Sequence, residues 1–321
     1  MKHWIEAARV RTLPLSVSGI LVGSFYTLSR QTKEDLTPTH VFSWSIFGLL
    51  LLTTVLLQVL SNFANDYGDG IKGTDNEDRI GPKRAIQSGV ISRREMKTAI
   101  IITSVLTFIS ASLLIYKSFH FKYLYYSIFF LALGIVAITS AIKYTVGKKA
   151  YGYKGYGDVF VFVFFGLVST FGSYFMYTKE INYLLFLPSI AIGFLSVGVL
   201  NLNNMRDEES DRKSGKNTIV VKKGGTWAKK YHFFLIISAM ILFLIFAILN
   251  DLSTNNSFNF DQYFFIIIYL PLIKHLITVY KNKEKKLLDP ELKKLAISTF
   301  LMCLLLSMGL IFLLSIFVNN N

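Results

Sequence analysis

VFSWSIFGLLLLTTVLLQVLSNFANDYGD, residues 41–69, carries no charged side chain before Asp66, and then presents two carboxylates, Asp66 and Asp69, three residues apart. Roughly 20 apolar residues, each rising about 1.5 Å along a helix, cross a hydrocarbon core about 30 Å thick. Residues 41–63 therefore read as a membrane helix, and the acidic segment behind them as its emergence at one face of the bilayer. The same measure applied outward finds about nine spans, near 12–29, 41–63, 98–117, 122–142, 158–178, 183–203, 231–250, 262–280 and 295–318.

Composition points the same way. Apolar residues make up 52% of the chain and charged residues 17%, against about 25% charged in a soluble domain. Mean hydropathy is +0.46. The first span is not read as a signal peptide, because its apolar run is long, is broken by Pro14 and has no small-x-small cleavage pattern behind it. No linker is long enough to separate domains. The expectation is an all-α, polytopic membrane protein forming a single domain over residues 1–321, with polar, Asp-rich loops at 64–97 and 204–230.

Nine spans put the termini on opposite sides. With the N-terminus cytoplasmic, the inner segments 1–11, 64–97, 143–157, 204–230 and 281–294 hold 28 of the 34 Lys and Arg residues. That asymmetry sets orientation, and it accounts for the net charge of +14 without nucleic acid as a partner. It implies a multi-pass protein of the cell (inner) membrane, in contact with the lipid bilayer and with no obligate protein partner evident. The single cysteine, Cys303, excludes a disulfide, a cysteine-based zinc site or an iron–sulfur cluster within one chain. The five histidines are scattered without metal-ligand spacing, and the sequence assigns them no role.

Two polar clusters match. The second span ends in Asn62, Asn65, Asp66 and Asp69; the sixth ends in Asn203, Asn204, Arg206 and Asp207, followed by Asp211. In each, Asn precedes Asp by four residues and a further Asp follows after three or four, spacings that share one face of a helix. Paired carboxylates repel, and a divalent cation relieves that repulsion. Mg²⁺ takes one or two carboxylates together with substrate phosphates, while nearby basic residues neutralise the remaining phosphate charge. The alternative reading, Asn and Asp as helix caps in solvated connectors, suits either cluster alone better than it suits the matched pair. The repeat also suggests an internal duplication.

These residues resemble the UbiA superfamily of intramembrane prenyltransferases, and within it the branch acting on 1,4-dihydroxy-2-naphthoate in menaquinone biosynthesis. NFANDYGDGIKGTDNEDRIGPKRAIQSG (62–89) resembles the first Asp motif and the Gly-Pro-x-Arg segment of that branch. NNMRDEESDRKSGKNTIVVKKG (203–224) is similar to its second Asp motif and Gly-Lys-x-Thr pattern, and YTVGKKAYGYKGYGDVFVFVFFG (144–166) to its middle loop, with Tyr144 and Lys148 matching Tyr-x-x-x-Lys. One departure stands out. Many members carry another Asp where this chain has Gly73, which leaves Asp75 or Asp78 to supply that charge.

The resemblance implies nine helices around a central cavity, with a lateral opening that admits an isoprenoid chain. It implies Mg²⁺-dependent transfer of a polyprenyl group from polyprenyl diphosphate to an aromatic acceptor, with loss of carbon dioxide. On this reading Asp66, Asp69, Asp207 and Asp211 bind the metal. Asn62, Arg79, Lys83, Arg84, Lys148, Asn203, Arg206 and Lys216 hold the diphosphate. Tyr144 shields the allylic cation by cation–π contact, with Tyr67 as a further candidate. Asp158 either positions the acceptor or caps the following helix. Two alternatives stay open: the same chemistry on another acceptor such as 4-hydroxybenzoate, and a secondary transporter of an anionic metabolite.

Overall fold

The computed structural model describes residues 2–31, 42–74, 80–81, 84–254 and 260–318. Ten helices of these residues build the bundle: α1 (Lys2–Ala8), α2 (Leu13–Gln31), α3 (Trp44–Lys72), α4 (Arg93–Phe119), α5 (Leu124–Lys143), α6 (Gly157–Thr178), α7 (Phe186–Arg206), α8 (Gly225–Thr254), α9 (Tyr269–Lys281) and α10 (Asp289–Val318). No strand occurs among the described residues. Among the described residues eight helical segments, α9 taken together with the 3₁₀ turns before it as Phe260–Lys281, are long and apolar enough to cross a membrane, and the count is nine if α1 and α2, bent by 55° between them, form one span. This is a multi-pass membrane protein.

The spans expected from hydropathy fall on these helices, but helix also extends into both acidic loops, at the two ends of 64–97 and over most of 204–230. Helix α3 continues nine residues beyond its expected end, so Asn65, Asp66 and Asp69 lie on helix rather than in a connector. It ends where Gly73 takes φ 72° and donates its N–H to the Asp69 carbonyl. That left-handed conformation suits glycine and strains a residue with a Cβ, which explains why the helix offers no third Asp there. In the second segment, helices Glu208–Lys213 and Ile219–Lys223 follow α7 directly. Thr218 of the Gly-Lys-x-Thr pattern caps the latter, its hydroxyl accepting from the Val221 N–H at 3.2 Å. Arg93 onward belongs to α4, which starts at a Ser92/Glu95 capping box.

Packing closes a ring. Helix α2 contacts α10, α6 and α3; α3 contacts α4 and α5; α7 lies against α6, α8 and α10. The largest apolar cluster, including Val22, Leu195, Phe243, Phe265 and Leu306, fills the α2–α7–α8–α9–α10 side. A second, with Ile46, Phe119, Phe130 and Tyr177, joins α2, α3, α4, α5 and α6 at the end away from the acids. A third, with Leu60, Phe63 and Met96, holds α1, α3 and α4 at the acidic end. Between these clusters the ring stays open, and the ends of α3 and α7 face one another across the gap.

Candidate active site

A cavity of about 420 Å³ runs inward from the acidic end of the bundle. Its polar head is lined by Asn62, Asn65 and Asp69 from α3, and by Asn203, Asp207 and Asp211 from the end of α7 and the turn beyond. Its depth is lined by apolar residues such as Ile20, Leu50, Leu114 and Met176. A charged head above an apolar shaft suits an amphiphile with an anionic end.

Lys216 joins the two acid clusters. Its Nζ lies 3.8 Å from Asp69 Oδ2 and 3.6 Å from Asp211 Oδ1, with all three side chains buried. Burial opposes the charge on Lys216, but Asp69 and Asp211 outweigh it and hold the ammonium protonated, with its pKa above the ordinary lysine value. Asp211 shows the cost of crowding acids: burial first, and then the charges of Asp207 and Asp69, push its pKa up to about 6 against the pull of Lys216.

Arg206 braces the second cluster. Its Nε and Nη2 donate to Asp207 Oδ1 and Oδ2 at 2.8 and 2.7 Å, and Nη2 also donates to Asn203 Oδ1 at 2.8 Å. Nη1 pairs with Asp289 at the start of α10. With the side chain 1% exposed, this guanidinium is committed to protein partners.

The connector 144–157 straps the two clusters together. The Tyr153 hydroxyl donates to Asp69 Oδ1 at 2.8 Å and pairs with Thr74. Lys72 Nζ lies 3.7 Å over the Tyr153 ring and donates to the Thr145 carbonyl. On the other side, the Asn217 N–H donates to the Tyr153 carbonyl and Lys222 Nζ to the Lys154 carbonyl. Tyr144 lines the cavity, its ring held between two glycines. A Cβ on Gly152 would lie 2.7 Å from the Tyr144 carbonyl oxygen, and one on Gly157 3.0 Å from the Tyr144 hydroxyl. Burial pushes the Tyr144 phenol up to about 12, so it stays neutral. Gly152→Ala, which meets backbone, is expected to lower stability by about 1–3 kcal/mol. Gly157→Ala, which meets the far end of a side chain, is expected to leave stability nearer wild type while displacing the Tyr144 ring. Thermal unfolding in detergent, read beside kcat/KM for the prenyl diphosphate, separates the two.

The chain matches the model of the UbiA prenyltransferase family over residues 36–304. It belongs to that family. It is 42% identical over 311 residues to the 1,4-dihydroxy-2-naphthoate octaprenyltransferase of Haemophilus influenzae, covering 97% of this chain and 96% of that one. It is 43% identical over 243 residues to the Escherichia coli enzyme of the same name, covering 76% and 75%. Among solved structures it is similar to a UbiA homologue from Archaeoglobus fulgidus bound to GPP and Mg²⁺, with a TM-score of 0.66, 18% identity, and 96% and 99% of the two chains covered. The fold is thus the UbiA fold.

Within this UbiA-family bundle, several residues expected to work together are apart. Asp66 is absent from the cavity lining. Its carboxylate accepts the backbone N–H groups of Ala85 and Ile86 at 3.1 and 3.3 Å, so it fixes the segment that carries Arg84 rather than facing Asp69. Asp158 is buried, takes a hydrogen bond from Tyr231 and also lies outside the lining. It is the second residue of α6, not its cap. Lys148 sits on an exposed turn away from the cavity. Asn62 reaches the cavity, yet its Nδ2 donates to the Ala8 carbonyl at 2.8 Å and ties down the start of the chain. Arg84 lines the cavity, whereas Arg79, Lys83, Asp75 and Asp78 lie outside the described residues.

The sequence reading missed Tyr153, Arg9, Asp289 and Lys293. The last three line the cavity, and Arg9 does so from a left-handed backbone with φ 51°. Only the tyrosine left a local trace, in the glycine-spaced YGYKGYG run at 151–157. That spacing announces close packing without saying which tyrosine meets Asp69.

Proposed function

We propose that this protein transfers a polyprenyl group from polyprenyl diphosphate to 1,4-dihydroxy-2-naphthoate, with loss of the carboxylate as carbon dioxide and release of diphosphate, giving the hydroquinone form of a demethylmenaquinone. It is a prenyltransferase, an enzyme of alkyl-group transfer. The observation that carries this reading is the meeting of Asp69 and Asp211 at the head of an apolar shaft, in a chain 42% identical over 97% of its length to a relative named 1,4-dihydroxy-2-naphthoate octaprenyltransferase.

The residues present suit Mg²⁺. Asp211 Oδ2 is buried with no hydrogen-bond partner among the described residues, an arrangement that asks for a cation. Among the described residues Asp69 Oδ2 has the loose Lys216 contact at 3.8 Å. No group of three or more His, Cys, Asp or Glu side chains gathers as a closed metal cage among the described residues, and Mg²⁺ shared with a diphosphate needs only one or two carboxylates. We assign the metal to Asp69, Asp211 and Asp207, with Asp66 supporting the site through the 84–86 backbone. When bound, Mg²⁺ neutralises the diphosphate and makes it a better leaving group.

The chain's own residues do the rest. Lys216, free to exchange its carboxylate partners for phosphate oxygens, stabilises the charge that grows on the diphosphate as the allylic C–O bond breaks. Tyr144, neutral and lining the cavity, presents a π face to the allylic cation. The apolar shaft holds the isoprenoid and excludes water that would trap the cation. The electron-rich naphthoate carbon then attacks, and the carboxylate leaves. The charge asymmetry supports a site facing the cytoplasm in the cell (inner) membrane, with the N-terminus on that side. Labelling of single cysteines placed in the 84–92 and 214–218 segments of intact cells and of inverted vesicles tests that orientation.

The deciding assay mixes detergent-purified protein with Mg²⁺, a long-chain prenyl diphosphate and 1,4-dihydroxy-2-naphthoate. Prenylated naphthohydroquinone (read as the quinone after oxidation by air) with carbon dioxide release, abolished by chelation and restored by Mg²⁺, is the expected result. Turnover of 4-hydroxybenzoate instead keeps the chemistry and changes the acceptor. The absence of pyrophosphate release with any aromatic acceptor sinks the proposal.

A further inference from the structure

His232, His275 and Glu291, none of them singled out by spacing, come together in a buried row. His232 Nε2 lies 2.9 Å from His275 Nε2, and His275 Nδ1 lies 2.6 Å from Glu291 Oε2. All three are at most 2% exposed. They belong to α8, α9 and α10 respectively, so the row stitches together three helices that are separate in sequence. None of the three lines the cavity.

Hydrogen-bond roles follow from the partners. Only one proton fits between the two facing Nε2 atoms. The Glu291 carboxylate accepts, so His275 Nδ1 donates to it. His275 Nε2 is then the acceptor for the Nε2–H of His232. His232 Nδ1 is left as a bare lone pair, and it is indeed buried without a hydrogen-bond partner among the described residues. An unfilled acceptor is the milder of the two possible omissions. The row is linear, with Glu291 and His232 on opposite sides of His275, so it is not a metal cage.

The row ends at the turn that braces the active site. Glu291 is two residues beyond Asp289, which pairs with Arg206; Leu292, Lys293 and Ala296 of the next turn line the cavity. At the other end, His232 lies one turn beyond Ala228, whose carbonyl accepts from Asn201 Nδ2 of α7 at 3.0 Å. The end of α7, carrying Asn203, Arg206 and Asp207, is thus held by α8 through Asn201 and by α10 through Arg206. The two histidines and Glu291 fix the spacing between those two supports.

We propose that His275 is a positioning residue for diphosphate binding: held between Glu291 and His232, it sets the first turn of α10 and so the Asp289–Arg206–Asp207 brace. This inference rests on the proposed reading that the brace frames the diphosphate. Outer groups that orient a metal or phosphate site typically contribute 10–100-fold in affinity or activity.

The test uses two substitutions that each preserve one half of the row. The amide nitrogen of asparagine sits near the place of imidazole Nδ1 and donates as it does, and the amide oxygen of glutamine can take the place of Nε2 and accept as it does. His275→Asn keeps the bond to Glu291, whereas His275→Gln keeps only the bond to His232. Binding of Mg²⁺-pyrophosphate to the full-length, detergent-purified protein is measured by calorimetry, together with thermal unfolding and KM for the prenyl diphosphate. His275→Gln is expected to weaken pyrophosphate binding and raise that KM about tenfold, and His275→Asn to stay within about twofold, with acceptor KM unchanged in both. In an Asp289→Asn background, His275→Gln is expected to add nothing further. Equal behaviour of the two His275 variants, or multiplying effects of His275→Gln and Asp289→Asn, overturns the inference alone. A wild-type protein that binds no Mg²⁺-pyrophosphate overturns it together with the function on which it rests.

Discussion

Asp69→Asn is expected to lower kcat/KM for the prenyl diphosphate by about 10³-fold, roughly 4 kcal/mol of transition-state stabilisation, with the bundle still folded. The amide is nearly isosteric and can still accept the Tyr153 hydroxyl, so the strap across 144–157 stays in place. What disappears is the charge. Asp69 supplies the α3 half of the acidic pair, and without it Lys216 faces Asp211 alone. Two consequences follow from that imbalance. Mg²⁺ affinity is expected to fall because one of the carboxylates proposed to hold it is gone, and Lys216 to pair more tightly with Asp211, leaving it less available to phosphate. Adding Mg²⁺ over a wide range is therefore expected to restore only part of the activity. Asp66→Asn provides the contrast. Its carboxylate binds the Ala85 and Ile86 N–H groups, and an amide oxygen retains one of these acceptor positions. Its loss is expected to be smaller in rate and to be accompanied by faster proteolysis of the 84–92 segment. Side-by-side kinetics of the two variants check the assignment; equal defects, insensitive to metal, would argue that both aspartates are metal ligands or that neither is.

Tyr153→Phe is expected to reduce kcat/KM by about 10–100-fold, although Tyr153 is not in the cavity lining. The phenylalanine keeps the ring beneath Lys72 at 3.7 Å, so the cation–π contact and the packing persist. It loses the two hydroxyl contacts, to Asp69 and to Thr74. Asp69 is then freer to rotate, and the proposed metal site loses a pre-set ligand. Tyr153→Leu also removes the cation–π contact and is expected to lower thermal stability in addition, by about 0.5–2 kcal/mol. A rate defect in Tyr153→Phe with unchanged unfolding temperature separates the hydroxyl's orienting role from packing. A defect that tracks stability across both variants would assign Tyr153 to the scaffold.

Much of this protein was legible in one dimension. The number and order of spans followed from apolar runs long enough to cross a bilayer, because a backbone in hydrocarbon must satisfy its hydrogen bonds within the helix. The approach of two acid clusters to one end followed from the even offset, four spans, between the second and sixth spans, which run in the same direction, and from matched Asn–Asp repeats at their ends. The helix end at Gly73 shows how a departure in sequence records a conformation, here a left-handed terminus. Asp69, Asp207, Asp211, Lys216 and Tyr144, all expected at the site, line its cavity.

Tertiary structure decided which members of each cluster face the cavity. Asp66 and Asp69 are one turn apart on a single helix, yet one meets backbone N–H groups and the other a tyrosine and a lysine. Helical spacing places both on neighbouring positions of one face, but the identity of the partner comes from segments 84–86, 153 and 216, far away in sequence. The same holds for Arg206, whose donors are taken by Asn203, Asp207 and Asp289, and for His232 and His275, which are 43 residues apart and meet only after α8, α9 and α10 pack. Local sequence sets periodicity and charge, because those depend on near neighbours along the chain. The pairing of polar groups depends on which helices become neighbours in space, and that was settled only when the bundle closed.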